Sequence, residues 1–419
     1  MTEHHDVVVI GGGQAGLSIS WYLVQRGIDH VVLERDSIGH QWREGRWDSF
    51  TLVTPNWQCD LPGYHYTGED PDGFMTREQT YTFVRGYADT FPAPVREHVS
   101  VSSVTQSADG GFDIETTTGA LHAGQVVVAT GGYHVPVIPR FAERLPASIE
   151  QIHSSRYRSS DALPDGDVLV VGNGQSGAQI AEDLMLSGRT VHLVTGGAPR
   201  VARFYRGKDC VAWLHEMGTY DVSIADHPGG SAKRENTNHY VTGRDGGRDI
   251  DLRDFALRGM KLYGRLIDVV DETLHFAPTL EASLDAADAV AESIKDSIDA
   301  YIAREGIDAP NESRYVPVWR PEQETASLDL SSSGIGSVVW SIGFRTDYQW
   351  LHVGVFDGEG HPCHNRGVTA VPGLFFLGLP WQHTWGSGRF ASVGRDAEYL
   401  ADRIEFAAPV QPAIESSLA

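Results

Sequence analysis

The sequence predicts an α/β fold built on sheets of mostly parallel strands. Strand-like apolar runs alternate with amphipathic helical stretches, which is the pattern of parallel strands joined by crossover helices. The runs are VVVI at 7, VVL at 31, VVVAT at 126, VLVV at 168, VHLV at 191 and VVWSIGF at 338. A glycine-rich turn of the same form follows VVVI and VLVV. We therefore expect two similar units in one chain.

Length and charge limit the class of protein. A chain of 419 residues is long enough for two domains with separate cores. The formal charge of −23 repels nucleic acid and anionic membrane surfaces. No apolar run approaches the ~20 residues of a membrane span, and the start of the chain lacks signal-peptide features. Cys59, Cys210 and Cys363 form no CxxC pair, which suits a reducing compartment. We expect a cytoplasmic protein with neither nucleic acid nor membrane as partner.

The first glycine turn has the full context of a dinucleotide-binding site. Gly11, Gly13 and Gly16 form GxGxxG between the strand VVVI and the helix LSISWYLVQRG. Such glycines permit a tight turn, let the backbone approach a pyrophosphate and place a helix N-terminus against that anion. Glu34 ends the next strand, where a carboxylate accepts hydrogen bonds from ribose hydroxyls. The first unit is expected to hold a dinucleotide with an unphosphorylated ribose.

The second glycine turn repeats this arrangement without the acid. Its glycines are Gly172, Gly174 and Gly177, and the strand that follows leads to Thr195 and then to Arg200 and Arg203. An arginine there would pair with the 2′-phosphate of NADP, which a carboxylate would repel. Ordinary surface charges are the alternative role for these arginines. Two nucleotide sites in one chain fit a flavoenzyme in which NADPH passes a hydride to bound FAD.

The expected architecture is two Rossmann-like dinucleotide-binding domains, with the NADPH domain inserted into the FAD domain. The predicted FAD-binding parts are residues 1–150 and 336–419, and the predicted NADPH-binding part with a helical insertion is 151–335. Apolar residues at helical spacing in 279–306 predict one long amphipathic helix. Its apolar face packs on its own domain or forms a homodimer contact, and the sequence leaves both open.

Five further segments carry a family resemblance. VVVATGGY contains Ala129, Thr130 and Gly131, and VVWSIGFRTDYQWL contains Gly343 and Phe344. His153 and Tyr157 match the second half of the signature FxGxxxHxxxY, whereas Ala147 and Ile149 stand where it has Phe and Gly. The chain resembles the class B flavin monooxygenases, which include flavin-containing monooxygenases, plant YUCCA-type enzymes and N-hydroxylating monooxygenases. NHYVTGRDGGRDIDLRDFALRGMKLYGRL and GLPWQHTWGSGRF are most similar to a bacterial subgroup of flavin-dependent oxidoreductases.

The resemblance assigns roles to residues outside the glycine turns. Trp42 and Arg43 resemble the WR pair that covers the FAD sugar and pyrophosphate, and Asn56 resembles an amide near flavin C4a. There Asn56 would hydrogen-bond a C4a-hydroperoxide, although a turn cap is an open alternative. Gly386 and Ser387 would lie near the flavin ring. Trp57, Trp381, His383 and Trp385 are candidates for the substrate wall, with core packing as the alternative for the last three. The remaining predicted cofactor contacts are Gln14, Ala15, Arg35, Thr54, Val101, Gln175, Ser176 and His153.

These residues imply an FAD- and NADPH-dependent monooxygenase. It would transfer one oxygen atom from molecular oxygen, through a flavin C4a-hydroperoxide, to a small organic substrate such as an amine. N-oxygenation is favoured over attack on a carbonyl. The alternatives are an NAD(P)H-dependent FAD reductase or oxidase that inserts no oxygen, and a non-enzymatic nucleotide sensor. HPCH at 361–364 lacks a second ligand pair, so no metal is predicted.

Overall fold

The computed structural model describes residues 2–235 and 238–407. The strands in these ranges are β1 Glu3–Ile10, β2 His30–Leu33, β3 Asp60–Leu61, β4 Tyr64–His65, β5 Val95–Arg96, β6 Val101–Gln106, β7 Phe112–Thr116, β8 Gly119–Val128, β9 Val135–Pro136, β10 Glu150–His153, β11 Asp167–Val171, β12 Val191–Val194, β13 Phe204–Tyr205, β14 Lys208–Asp209, β15 Lys261–Tyr263, β16 Leu266–Val270, β17 Thr273–Phe276, β18 Ser327–Asp329, β19 Ile335–Trp340, β20 Phe344–Arg345, β21 Leu351–His352 and β22 Leu374–Phe376. The helices are α1 Gln14–Gln25, α2 His40–Arg43, α3 Arg77–Asp89, α4 Gln175–Leu186, α5 Cys210–Glu216, α6 Leu252–Leu257, α7 Leu280–Glu305, α8 Leu330–Ser333 and α9 Phe390–Ala407.

The first sheet joins the two ends of the chain. Its strand order is β21-β6-β7-β8-β1-β2-β5, and β22 pairs with β8. Ile10 is the register partner of both Leu33 and Val128, and Phe376 also pairs with Val128. Because β1, β2, β8 and β22 are parallel, their carboxyl ends meet at one edge of the sheet. The first glycine turn leaves from this edge.

The second sheet has the order β10-β19-β11-β12-β15, and all its pairings are parallel. Its strands lie in the chain between β8 and β21 of the first sheet, so the second unit is inserted into the first. This confirms the predicted α/β fold class of two Rossmann-type units.

The predicted division at residue 335 would separate β19 from its sheet. Val338 pairs with Gln151 of β10 and with Leu169 of β11, and Val338, Val339 and Trp340 are fully buried. This apolar strand fills the gap between β10 and β11. We therefore propose a domain boundary after Trp340.

The long helix predicted at 279–306 is α7. Its buried residues recur every three or four positions and pack within the chain: Leu280, Leu284, Ala287, Ala291, Lys295, Ile298 and Ile302. One apolar face of the helix therefore packs on its own chain, and a homodimer contact stays a prediction. Within residues 2–235 and 238–407, no helix is long and apolar enough to cross a membrane.

Candidate functional site

The first glycine turn is shaped for close backbone contact with an anion. Gly11 has φ +110°, and a Cβ on Gly16 would lie 1.8 Å from the Gly11 carbonyl oxygen. Gly13 caps α1 with no side-chain hydrogen bond, and the first turn of α1 has no acidic residue. The free N–H groups at this helix start can bind a pyrophosphate. Thr130, beside Gly11, has a buried hydroxyl with no hydrogen-bond partner in the described residues.

Glu34 lies against this turn from the end of β2. Its Oε2 accepts from the Gly12 N–H at 2.7 Å, and its Oε1 accepts from the Asp36 N–H at 2.8 Å. The Val99 N–H donates to the Glu34 carbonyl at 2.9 Å, which places the start of β6, with Val101, beside the end of β2. Arg35 is exposed and pairs with Asp36. The residues present therefore fit the adenosine half of FAD.

Trp42 and Gln14 form a wall beside the first turn. The Trp42 Nε1–H donates to Gln14 Oε1 at 3.2 Å, and Gln14 Nε2 donates to the Gly388 carbonyl at 3.0 Å. Trp42 also stacks on Phe390 with ring centroids 5.3 Å apart. The wall thus connects the first turn to the loop before α9. Ala15, buried in the first turn of α1, lies behind it.

Arg43 faces away from this wall. Its guanidinium lies 5.1 Å from the Tyr81 ring centroid, and its side chain is exposed beside Glu44. Arg46 instead lies over the ring of Trp42 at 5.2 Å. In the structure, Arg46 rather than Arg43 therefore accompanies Trp42 at this wall.

Asn56 begins a short 3₁₀ turn and is buried. Its Oδ1 accepts from the Met75 N–H at 2.8 Å, and its Nδ2 donates to the Asp70 carbonyl at 2.9 Å. These bonds hold the segment 70–75 against the turn, so Asn56 has a structural role in the fold. Its predicted contact with the flavin stays a prediction. Thr54 and Trp57 are partly buried on either side, and Trp57 contacts the His215 ring edge-on at 4.9 Å.

The loop before α9 is held by Ser387. The Ser387 hydroxyl donates to Asp396 at 2.6 Å and accepts from the His383 and Thr384 N–H groups at 3.0 and 3.1 Å. Gly386 packs so tightly that a Cβ would lie 2.2 Å from Ser392 Oγ. These two residues therefore shape the loop near the start of α9.

The aromatic residues of this loop meet a segment of the second unit. Trp385 stacks on Tyr220 at 4.3 Å, and Trp381 contacts His227 edge-on at 5.2 Å. The Ile224 N–H donates to the His383 carbonyl at 2.7 Å. Burial lowers the pKa of His383. Trp381, His383 and Trp385, the predicted wall residues of this loop, are thus brought together at the junction between the two units.

Two arginines that the sequence analysis did not select lie in the same region. Arg389 lies 3.5 Å from the Trp385 ring centroid, and neither Arg389 nor Arg46 has a carboxylate partner among the described residues. Burial lowers the pKa of both guanidiniums. The interaction of each with Tyr133 opposes this shift but is the smaller effect. In the sequence, Arg46 stands next to Trp47 in GRW, and Arg389 stands two residues after Ser387 in GSGR.

The second glycine turn repeats the geometry of the first. Gly172 has φ +100°, and a Cβ on Gly177 would lie 1.8 Å from the Gly172 carbonyl oxygen. Gly174 caps α4 without a side-chain hydrogen bond. Gln175 donates to the Val241 carbonyl at 2.6 Å, and Ser176 is exposed. This turn can also hold a pyrophosphate.

Arg200 and Arg203 do not lie free at this turn. Arg200 is 3% exposed and donates from Nε to Asp288 at 2.6 Å. Arg203 is 1% exposed, binds both carboxylate oxygens of Asp209 and donates to the Val53 carbonyl at 2.8 Å. Both guanidiniums therefore make buried ion pairs, while Arg200 Nη2 and Arg203 Nε have no hydrogen-bond partner among the described residues.

His153 and Tyr157 brace the connection between the units. The His153 ring contacts the Gly343 carbonyl through Nε2 at 3.1 Å, and burial lowers its pKa. The Tyr157 hydroxyl donates to Asp183 at 2.7 Å, and Asp183 also accepts from Ser49 and Arg244. Residues of both units thus converge on one carboxylate of α4.

The three cysteines do not form a redox pair. All three are free thiols, Cys59 and Cys210 are buried, and Cys363 is exposed. Burial raises the pKa of the Cys59 and Cys210 thiols to about 12. A buried protonated thiol is a poor nucleophile. In the described residues no cluster of His, Cys, Asp and Glu could hold a metal ion.

A strand, a glycine turn and a helix occur in the same arrangement in each unit, which is typical of flavin-dependent oxidoreductases. The family model described as pyridine nucleotide-disulphide oxidoreductase matches residues 8–216. The CzcO-like oxidoreductase of Geobacillus kaustophilus is 33% identical over 406 residues, covering 95% of this chain and 98% of the relative. The chain belongs to this family of CzcO-like oxidoreductases, and the predicted resemblance to the class B flavin monooxygenases is confirmed as a resemblance.

Two further proteins are similar to the chain. The probable indole-3-pyruvate monooxygenase YUCCA4 of Arabidopsis thaliana is 29% identical over 196 residues, which is 46% of this chain and 47% of the relative. The flavin-containing monooxygenase of Stenotrophomonas maltophilia shares the fold with a TM-score of 0.67 and 19% identity. That match covers 97% of this chain and 100% of the other.

Proposed function

We propose that the chain is a monooxygenase in which a nicotinamide dinucleotide at the second turn reduces FAD at the first turn. Molecular oxygen is then the acceptor, and one oxygen atom passes to a small organic substrate. The carrying observation is that the loop before α9 contacts both units: its Gly388 carbonyl accepts from Gln14 of the first turn, and its Trp385 stacks on Tyr220 of the inserted unit. A substrate at this junction would be in reach of both units.

The chain's own residues have distinct parts in this proposal. Glu34 and the start of α1 hold the adenosine and pyrophosphate of FAD, whose ring supplies the redox and oxygen chemistry when bound. Trp42 and Gln14, joined by a hydrogen bond, would shield one side of the flavin site from water. Arg46 and Arg389 place positive charge beside it, which favours negative charge on a reduced flavin or on a substrate.

The cysteines favour oxygen over a disulfide as the electron acceptor. Cys59 is fully buried with no partner cysteine. A dithiol exchange needs an accessible thiolate and a second thiol. An internal disulfide relay is therefore disfavoured, even though the matching family model is named for disulfide oxidoreductases.

Three more specific predictions accompany this proposal: N-oxygenation, NADPH as the hydride donor and a cytoplasmic location. The YUCCA4 relative is named a monooxygenase, which supports oxygen insertion in general. An amine substrate requires little beyond proximity to the flavin and a dry site.

The test is oxygen incorporation from ¹⁸O₂ with NADPH and a panel of amines, sulfides and ketones. The proposal predicts a product that carries one ¹⁸O atom, formed in step with NADPH oxidation. Hydrogen peroxide as the only product across the panel would establish an oxidase instead. A colourless protein that does not oxidise NADPH would favour the nucleotide sensor.

A further inference from the structure

The second nucleotide site differs from the first at the position of the adenosine ribose. In the first unit, the Glu34 carboxylate reaches back from the end of β2 to the Gly12 N–H. In the second unit the contact is reversed, because Asn173 Oδ1 of the turn accepts from the Gly196 N–H at 2.7 Å. Thr195, where the first unit has Glu34, is buried and donates to the Tyr263 carbonyl. Neither Thr195 nor the two glycines after it supplies a carboxylate or a cation at this strand end.

Arg200 is bound to a buried carboxylate, although its Nη2 has no hydrogen-bond partner among the described residues. Asp288 lies between Arg200 and Arg253, with Nε to carboxylate distances of 2.6 and 2.9 Å. The Arg200 guanidinium also packs over the Tyr315 ring at 4.2 Å. Turning it toward a 2′-phosphate would remove a buried counter-ion from Asp288 and expose this packed stack.

Arg203 is likewise held by a carboxylate and an aromatic ring. Its guanidinium binds Asp209, which itself caps α5, and packs over the Phe74 ring at 4.6 Å. Its Nη1 donates to Val53 of the first unit. Arg203 therefore joins the two units and is a positioning residue.

We propose that the second site does not select NADPH over NADH, and that Gly196 and Gly197 set this lack of preference. The inference rests on the proposed function, in which this turn holds the hydride donor. A Cβ on Gly197 would have no atom within 4 Å, and its backbone is outside the left-handed region. Gly197 therefore leaves open the space in which a 2′-phosphate would find a partner, because a cation at this strand end is what recognises that group.

The test is calorimetric titration of the FAD-loaded protein with ADP-ribose and with 2′-phospho-ADP-ribose, which requires no turnover. The two dissociation constants are expected to agree within about threefold. Gly197→Arg is expected to tighten the phosphorylated probe by about tenfold or more and leave ADP-ribose unchanged, since a charge-assisted pair adds about 1.4 kcal/mol. Gly197→Ala, the matched control, should leave both constants unchanged.

Arg200→Ala and Arg203→Ala should weaken both probes equally and lower the melting temperature. Arg265 is exposed two residues after the end of β15, the neighbour of β12, so Arg265→Ala is tested with them. A wild-type preference of about tenfold or more for the phosphorylated probe overturns the proposal, whichever arginine carries it. Failure of both probes to bind would instead contradict the proposed function itself.

Discussion

The two glycine turns have nearly the same backbone and different surroundings. Each has a glycine whose Cβ would lie 1.8 Å from the first carbonyl of the turn, and each opens a helix without a side-chain cap. They differ at the second strand end, where one has Glu34 and the other has Thr195 followed by two glycines. The glycine spacing therefore determines the turn, and we propose that the residue after the next strand determines which nucleotide the turn suits.

The largest expected effect comes from filling the first turn. Gly16→Ala would force its Cβ against the Gly11 carbonyl and move α1 away from β1. The flavin content of the purified protein, measured by its visible absorbance, should fall by about tenfold or more. Gly354→Ala is the control, because a Cβ there meets no atom within 4 Å. Normal flavin content in Gly16→Ala would contradict the assignment of FAD to the first turn.

The next largest effect is expected at Asp183, the carboxylate that accepts hydrogen bonds from both units. Asp183→Ala leaves the Tyr157, Ser49 and Arg244 donors without their common acceptor, so the free energy of unfolding should fall by about 3 kcal/mol. Tyr157→Phe removes one of these bonds and should cost about 1 kcal/mol. Denaturant unfolding measures both. Equal losses in the two variants would mean that Asp183 does not couple the units.

A smaller loss is expected at Asn56 in the first unit. Asn56→Ala breaks two buried hydrogen bonds to the backbone and should lower the free energy of unfolding by about 2 kcal/mol. Asn311→Ala, at an exposed position, should change it by less than about 0.5 kcal/mol. Denaturant titrations of the two variants provide the comparison. An unchanged stability in Asn56→Ala would leave the flavin contact as the main role of this amide.

The smallest effect concerns the thiols. Because burial raises the pKa of Cys59 and Cys210 to about 12, both remain protonated at pH 8, and a thiol reagent should modify Cys363 alone. Unfolded protein should react at all three cysteines. Cys59→Ala should oxidise NADPH at the wild-type rate. Rapid native labelling of Cys59, or loss of NADPH oxidation in Cys59→Ala, would restore a thiol mechanism.

The sequence predicted the features that depend on nearby residues. A strand, three spaced glycines and a helix specify the turn locally, so both turns and the helix α7 were predictable. The partners of Arg200 and Arg203 were not, because Asp288 lies on α7 and the Val53 carbonyl belongs to the other unit. The same reason applies at Trp42, where tertiary packing places Arg46 rather than Arg43 over the ring.

The assignment of different nucleotides to the two turns is tested most directly by anaerobic reduction of a second-turn variant. Gly177→Ala places a Cβ against the Gly172 carbonyl and leaves the first turn intact. The variant should purify yellow, fail to bleach with NADPH or NADH, and bleach with dithionite. Bleaching by either nucleotide at the wild-type rate would contradict the assignment of the hydride donor to the second turn.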